Sequence, residues 1–138
     1  MPATNFDSVV AATFVGNVTG NVTGNVTGNV TGDTQVIVTP MTTNGAIDVK
    51  TGIVHLDKAG VLAATLADPT DVTDDGKILT IIAKTANAHT VTIAGGLNGV
   101  GVSRDVGTYG GAIGDQVTLV AIGGKWWQHG GVVNVTFG

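Results

Sequence analysis

The chain of 138 residues contains no cysteine and no glutamate, and only 12% of its residues are charged. Without cysteine there is no disulfide framework, no zinc ribbon and no thiol nucleophile. Without glutamate the acidic side is ten Asp, set against five Lys and one Arg, for a formal charge of -4. Six basic residues spread along the chain do not make the clustered Lys/Arg surface that neutralises phosphates, so nucleic acid is not an expected partner. Soluble domains carry about twice this share of charge, which implies a surface that something else covers. No apolar run approaches the roughly 20 residues of a membrane helix, and Met1 to Val10 has neither the basic nor the apolar segment of a secretory signal. A membrane is therefore not an expected partner either.

What fills the space is Gly (22), Val (22) and Thr (21), with only six Leu and two Met. Val and Thr are branched at Cβ, stiff in χ1 and suited to a pleated surface, so an all-β fold is predicted. The most regular stretch is Gly16 to Gly32, GNVTGNVTGNVTGNVTG, four tandem copies of Gly-Asn-Val-Thr. A period of four is not the Gly-X-Y of collagen, and a strict four drifts round a helix. In an extended chain successive side chains alternate between faces. Val18, Val22, Val26 and Val30, spaced by glycines, then share one face, while Asn17, Asn21, Asn25 and Asn29 line the other with the threonines.

Four buried valines do not offset the backbone entropy of ordering a Gly-rich array of this length. The array is expected to take shape only against sister copies or a larger assembly, which makes these Val and Asn residues the expected oligomer or capsid interface. The strict alternation weighs against a flexible linker. The Asn-Val-Thr triplets match the N-glycosylation pattern, but that reading needs secretion, and the Asn are read as ladder residues. Residues 1–33 are thus an extended arm and residues 34–138 a body.

Within the body, β-forming runs separated by Gly, Asn, Asp or Pro predict strands at Thr34–Thr39, Gly52–Leu56, Lys77–Ala83, His89–Ala94, Gln116–Ile122, Lys125–His129 and Val132–Phe137. Gly123-Gly124 between two such runs predicts a hairpin. Apolar groups on both faces of Gln116–Ile122 place that strand centrally. Lys58–Leu66 fits a helix or a strand equally, and Gly95–Gly114, with eight Gly, reads as one long loop. Short strands at intervals of about ten residues fit a β-sandwich or jelly-roll-like body.

Candidate chemistry is sparse. Asp68, Asp71, Asp74 and Asp75 offer oxygen ligands for a hard cation, but their spacing matches no EF-hand loop, and acidic residues in such turns bond their own backbone. His55, His89 and His129 form no ligand pair, and neither Ser8 nor Ser103 lies in a nucleophile elbow. No enzyme, cofactor or metal is expected. Trp126 and Trp127 are adjacent, so one is expected in the core and the other outward. An outward Trp is an interface anchor or part of a sugar-binding face. Lacking a cluster of Asp, Asn and aromatics around it, Trp127 is read as a subunit contact.

The GNVT array, with GKILTIIAKTANAHTVTI (Gly76 to Ile93) and GDQVTLVAIGGKWWQHG (Gly114 to Gly130), resembles small virion proteins of tailed bacteriophages. These include capsid decoration (cement), head-fibre and tail-fibre modules. The resemblance implies a homotrimer attached to a virion without catalysis, and does not say to which part. A short arm with a single body is expected of a decoration protein on the capsid exterior, whose partners are itself and the major capsid protein. Met1 to Gly32 is then expected to make the capsid-proximal or intertwined contact and Thr34 to Gly138 to form the exposed head, or the reverse. The alternative is a tail-fibre or spike module that binds a cell-surface polysaccharide through the Gly95–Gly114 loop or an exposed Trp.

Overall fold

The computed structural model describes Thr31 and residues 35–138. The array residues 17–30, with the Val and Asn positions expected at the interface, lie outside the described residues, as does the arm apart from Thr31.

The body is all-β. Its strands are β1 (Val38–Met41), β2 (Gly45–Ile47), β3 (Gly52–Leu56), β4 (Ala63–Leu66), β5 (Ile78–Ala83), β6 (Thr90–Ile93), β7 (Val106–Tyr109), β8 (Gln116–Ile122), β9 (Lys125–Val133) and β10 (Val135–Phe137). Two short 3-10 turns, Leu97–Gly99 and Gly101–Arg104, separate β6 from β7. The strands form two five-stranded sheets, β1-β3-β5-β8-β9 (sheet A) and β2-β4-β6-β7-β10 (sheet B). From β1 to β6 the chain changes sheet at every step, so β1, β3 and β5 are parallel neighbours, and so are β2, β4 and β6. The last four strands run antiparallel to their neighbours and complete both sheets, with β8 and β9 joined as a hairpin.

Alternation along each strand builds the core. Val54 and Leu56, Leu79, Ile81 and Ala83, and Val117, Leu119 and Ala121 point inward from sheet A. Ala64 and Leu66, with Val91 and Ile93, do so from sheet B, and all of these join one buried cluster. Trp126 is completely buried and its indole N–H donates to the Ala67 carbonyl at 2.9 Å, which satisfies the one polar atom it takes inside. At one end of the sandwich, the Asp115 carboxylate accepts from Ala112 N–H at 2.9 Å and from the Asn134 side-chain amide at 3.1 Å. This joins the β7–β8 turn to the short β9–β10 link.

Several expectations are met closely. β3 and β8 have the predicted bounds, β8 lies between β5 and β9, and the hairpin turns at Gly123-Gly124. Others are corrected. The sheets are mixed, whereas a jelly roll is antiparallel throughout, because the first six strands alternate between sheets instead of folding back as hairpins. The ambiguous segment resolves as strand only over Ala63–Leu66. Gly95–Gly114 is not one loop: β7 runs through it. Gly107 hides that strand in the sequence; an added Cβ there would lie 2.9 Å from Phe137 Cε1 on the neighbouring β10, so that ring would have to move.

Candidate interaction surface

The ten strands contain a single Asp, Lys or Arg, namely Lys125 at the start of β9. Every other charged residue of the described body lies in a turn, and most of their heads are engaged there. Asp68 pairs with Lys125 and accepts Gly95 N–H at 2.8 Å. Asp74 pairs with Lys77 and accepts Thr70 N–H at 2.6 Å, and the Lys77 ammonium followed by that N–H holds its carboxyl below the usual carboxylate range. Asp75 accepts Gly123 N–H at 2.8 Å, and Asp57 pairs with Lys84 at 2.7 Å. Asp68, Asp74 and Asp75 of the acidic run are therefore turn locks, and among the described residues no three His or Asp converge as metal ligands.

The remaining candidates are equally dispersed. His89 is in the core, His55 is half-buried on β3, and His129 is exposed on β9. Ser103 Oγ donates to the Val100 carbonyl at 3.0 Å.

The two outward faces differ in chemistry. On sheet B the outward strand positions are threonine and alanine with Val106. They include Thr90 beside Thr108, which in turn lies beside Thr136. A shallow hollow of about 330 Å³ opens on that side, lined by Ala46, Thr65, Leu66, Ala67, Thr92 and Ala94. Its walls are methyl groups, with only two hydroxyls to orient a ligand. On sheet A the outward positions hold Ile, Val and Trp at the centre, with His55, Thr80, Gln116, Thr118 and Lys125 among and around them. Val38 is opposite Ile53, which is opposite Thr80, and Ile78 is opposite Val120, which is opposite Trp127.

Ile78, Ile122 and Trp127 on that face are 41%, 53% and 40% exposed. Trp127 thus points outward while Trp126 is buried, as alternation along a strand requires. Its indole N–H donates to the Ile122 carbonyl at 3.1 Å. The hydroxyls of Thr80 and Thr118, which face each other across β5 and β8, bond to each other at 3.1 Å. This arrangement suits contact with another apolar surface. Sequence reasoning placed Trp127 but not Ile78, Val120 and Ile122. The signal available was the two-sided apolarity of β8, and the missing information was which strands flank it.

Comparison with protein families, with curated proteins and with solved structures gives no match to the chain.

Proposed function

We propose that this chain is a structural virion protein of a tailed bacteriophage, a homotrimer of the decoration or head-fibre kind that binds the major capsid protein on the capsid exterior and stabilises the shell. The observation that carries the reading is the near absence of charge from ten strands. Both sheet faces turn outward with one charged side chain between them, Lys125, and that one is paired with Asp68. A free soluble body normally scatters Lys, Glu and Asp over such faces. A body that works inside an assembly does not need them.

The sequence supports the same reading. The Gly-Asn-Val-Thr array preceding the body has the composition of a segment that takes shape only against partners, and trimerisation supplies identical ones. Each trimer then adds modest contacts to neighbouring shell subunits, and repetition over a lattice makes many weak contacts act together.

Two measurements test the proposal together. Sedimentation velocity of the purified full chain should give the mass of a trimer, and antibody against the body should place gold particles over the heads of virions carrying the protein. Label confined to the tail tip, with retention of the chain on a bacterial polysaccharide array, would move the assignment to a receptor-binding module. Absence of label from the virion would end it.

A further inference from the structure

We infer that the outward face of sheet A is the surface through which copies of this chain pack on one another, face to face, rather than by strand addition at the sheet edges. The inference rests on the homo-oligomer reading above and specifies where in the body the contact lies.

Three of the four sheet edges, β1, β2 and β9, are poorly suited to pairing. In β1, Ile37 and Met41 direct their carbonyls to β3, accepting from Ile53 N–H at 2.9 Å and Asp57 N–H at 2.8 Å. By the alternation of a parallel ladder, Val38 and Pro40 face the open side. Pro40 has no N–H to offer there, and β2, the edge strand of sheet B at the same end, is only three residues long. At the far side of sheet A, the Gln128 N–H on β9 is taken by Asn98 Oδ1 at 2.9 Å, and the β8–β9 ladder is interrupted by two register shifts. Short strands, an edge proline, a side-chain cap and bulges are all devices that suppress edge-to-edge pairing.

The face is prepared for burial in the same degree. Its centre is Ile53, Ile78, Val120 and Trp127, with most of the polar atoms among them already engaged. Thr80 and Thr118 bond to each other, and the Trp127 N–H is bonded to Ile122. Covering these groups with an apolar partner therefore strands a single threonine hydroxyl hydrogen. The scarcity of charge selects the partner: alternation along β9 puts one charged side chain on this face, Lys125 at the strand's start, and Asp68 neutralises it. Around a symmetry axis each residue meets its own copy, so any charge near the axis would face a like charge. The described body carries its acids in the turns instead. Five strands at about 4.8 Å spacing, each about five residues long at about 3.3 Å per residue, outline roughly 400 Å². That is about half of what one partner contributes to a standard pairwise interface, which fits a closed ring held at more than one place better than an isolated dimer. Sheet B, with its threonine hydroxyls, is left for solvent or the shell.

The test uses the full chain. Ile78→Asp and Trp127→Asp place a charge at two positions already 41% and 40% exposed, and Thr108→Asp does the same on the exposed outer side of sheet B. Sedimentation velocity over a concentration series should show an oligomeric wild type, association weakened at least tenfold by both sheet A substitutions, and no change for Thr108→Asp. Because the chain has no cysteine, Ile78→Cys and Thr108→Cys supply a readout that adds no charge. The thiol at 78 should react with a maleimide at least tenfold more slowly than that at 108 in the assembled protein. Equal rates, or sheet A variants that assemble like an oligomeric wild type, would overturn the assignment of the face while leaving the oligomer reading intact. A wild type that stays monomeric at every concentration would overturn both.

Discussion

The imidazole of His89, wholly buried, accepts the backbone N–H of Leu62 on its Nδ1 at 3.0 Å. Its Nε2 lies 3.0 Å from Thr85 Oγ1, and that hydroxyl donates to the Lys58 carbonyl at 2.7 Å. The donors and acceptors match only if the ring proton sits on Nε2. One neutral side chain therefore fixes the residue that precedes β4 against the residue that precedes β6, the neighbouring strand of sheet B.

Acid should loosen that joint. Burial, followed by the nearby Lys58 charge, holds the His89 pKa below its ordinary 6.5. Between the two values the unfolded chain binds a proton that the folded chain refuses, so this contribution to stability is present above pH 6.5 and is lost as pH falls below it. Protonation would also set an N–H against the Leu62 N–H. The urea midpoint should be lower at pH 5 than at pH 7.5. His89→Gln should cost about 1–3 kcal/mol at pH 7.5, the range for unsatisfied buried groups, and reduce the difference between the two pH values. A wild-type midpoint unchanged between them would refute the account.

Tyr109 gives an alkaline counterpart. It is the only tyrosine in the chain, it is completely buried, and its hydroxyl donates to the Ile81 carbonyl across the sandwich at 3.2 Å. Burial first, and the Asp115 carboxylate second, push its phenol far above the usual 10. An unfolded tyrosine ionises near 10 while the folded one holds its proton, so stability falls as pH rises through that value. Absorbance at 295 nm should stay flat through the ordinary tyrosine range and rise only together with loss of the far-UV β signal. A smooth titration near pH 10 with the fold intact would contradict the burial argument. Tyr109→Phe should cost about 1 kcal/mol, the usual net worth of one hydrogen bond.

How far these features could be read beforehand depends on how local their cause is. The bounds of β3 and β8, the Gly123-Gly124 hairpin and the division of labour between Trp126 and Trp127 all follow from alternation over a few residues, and all are found. The parallel pairing of β1 with β3 and of β2 with β4 joins residues that no local pattern connects, as Val38 with Ile53 and Gly45 with Ala64. β7 is concealed by Gly107, whose neighbour across the sheet is Phe137, thirty positions on. The apolar face of sheet A is half legible, since β8 shows it alone and Ile53, Ile78 and Trp127 join it only once the strand order is known.

Val72 should be replaceable at a gain. Its φ is +66°, and Thr73 N–H bonds to the Asp71 carbonyl at 2.7 Å, closing a three-residue γ-turn that a β-branched residue adopts only under strain. The side chain is 80% exposed, so it recovers little of that strain by packing. Left-handed backbone costs a non-glycine residue about 1–2 kcal/mol, and glycine gives back about 0.4–1 of this through the freer unfolded chain. Val72→Gly should therefore stabilise the body by about 0.5–1 kcal/mol, read as a higher urea midpoint at unchanged slope. A lower midpoint would show that Val72 makes a contact this account lacks.

Pro40 carries the last expectation, because its role lies in what it prevents. It sits opposite His55 in the β1–β3 ladder with its ring nitrogen on the open side of the strand. Pro40→Val keeps an apolar, β-forming side chain at that exposed position but returns a donor to the edge, giving Val38 and residue 40 a continuous row of backbone groups free to pair. The folded body should lose little, since no ladder bond to β3 depends on that nitrogen. Its behaviour in solution should change more. Static light scattering at raised concentration should show larger, polydisperse species for Pro40→Val beside the wild-type assembly, accompanied by thioflavin binding if the added pairing propagates. If the variant matched the wild type in both, edge protection would have to come from the shortness of β1 alone, four residues in all.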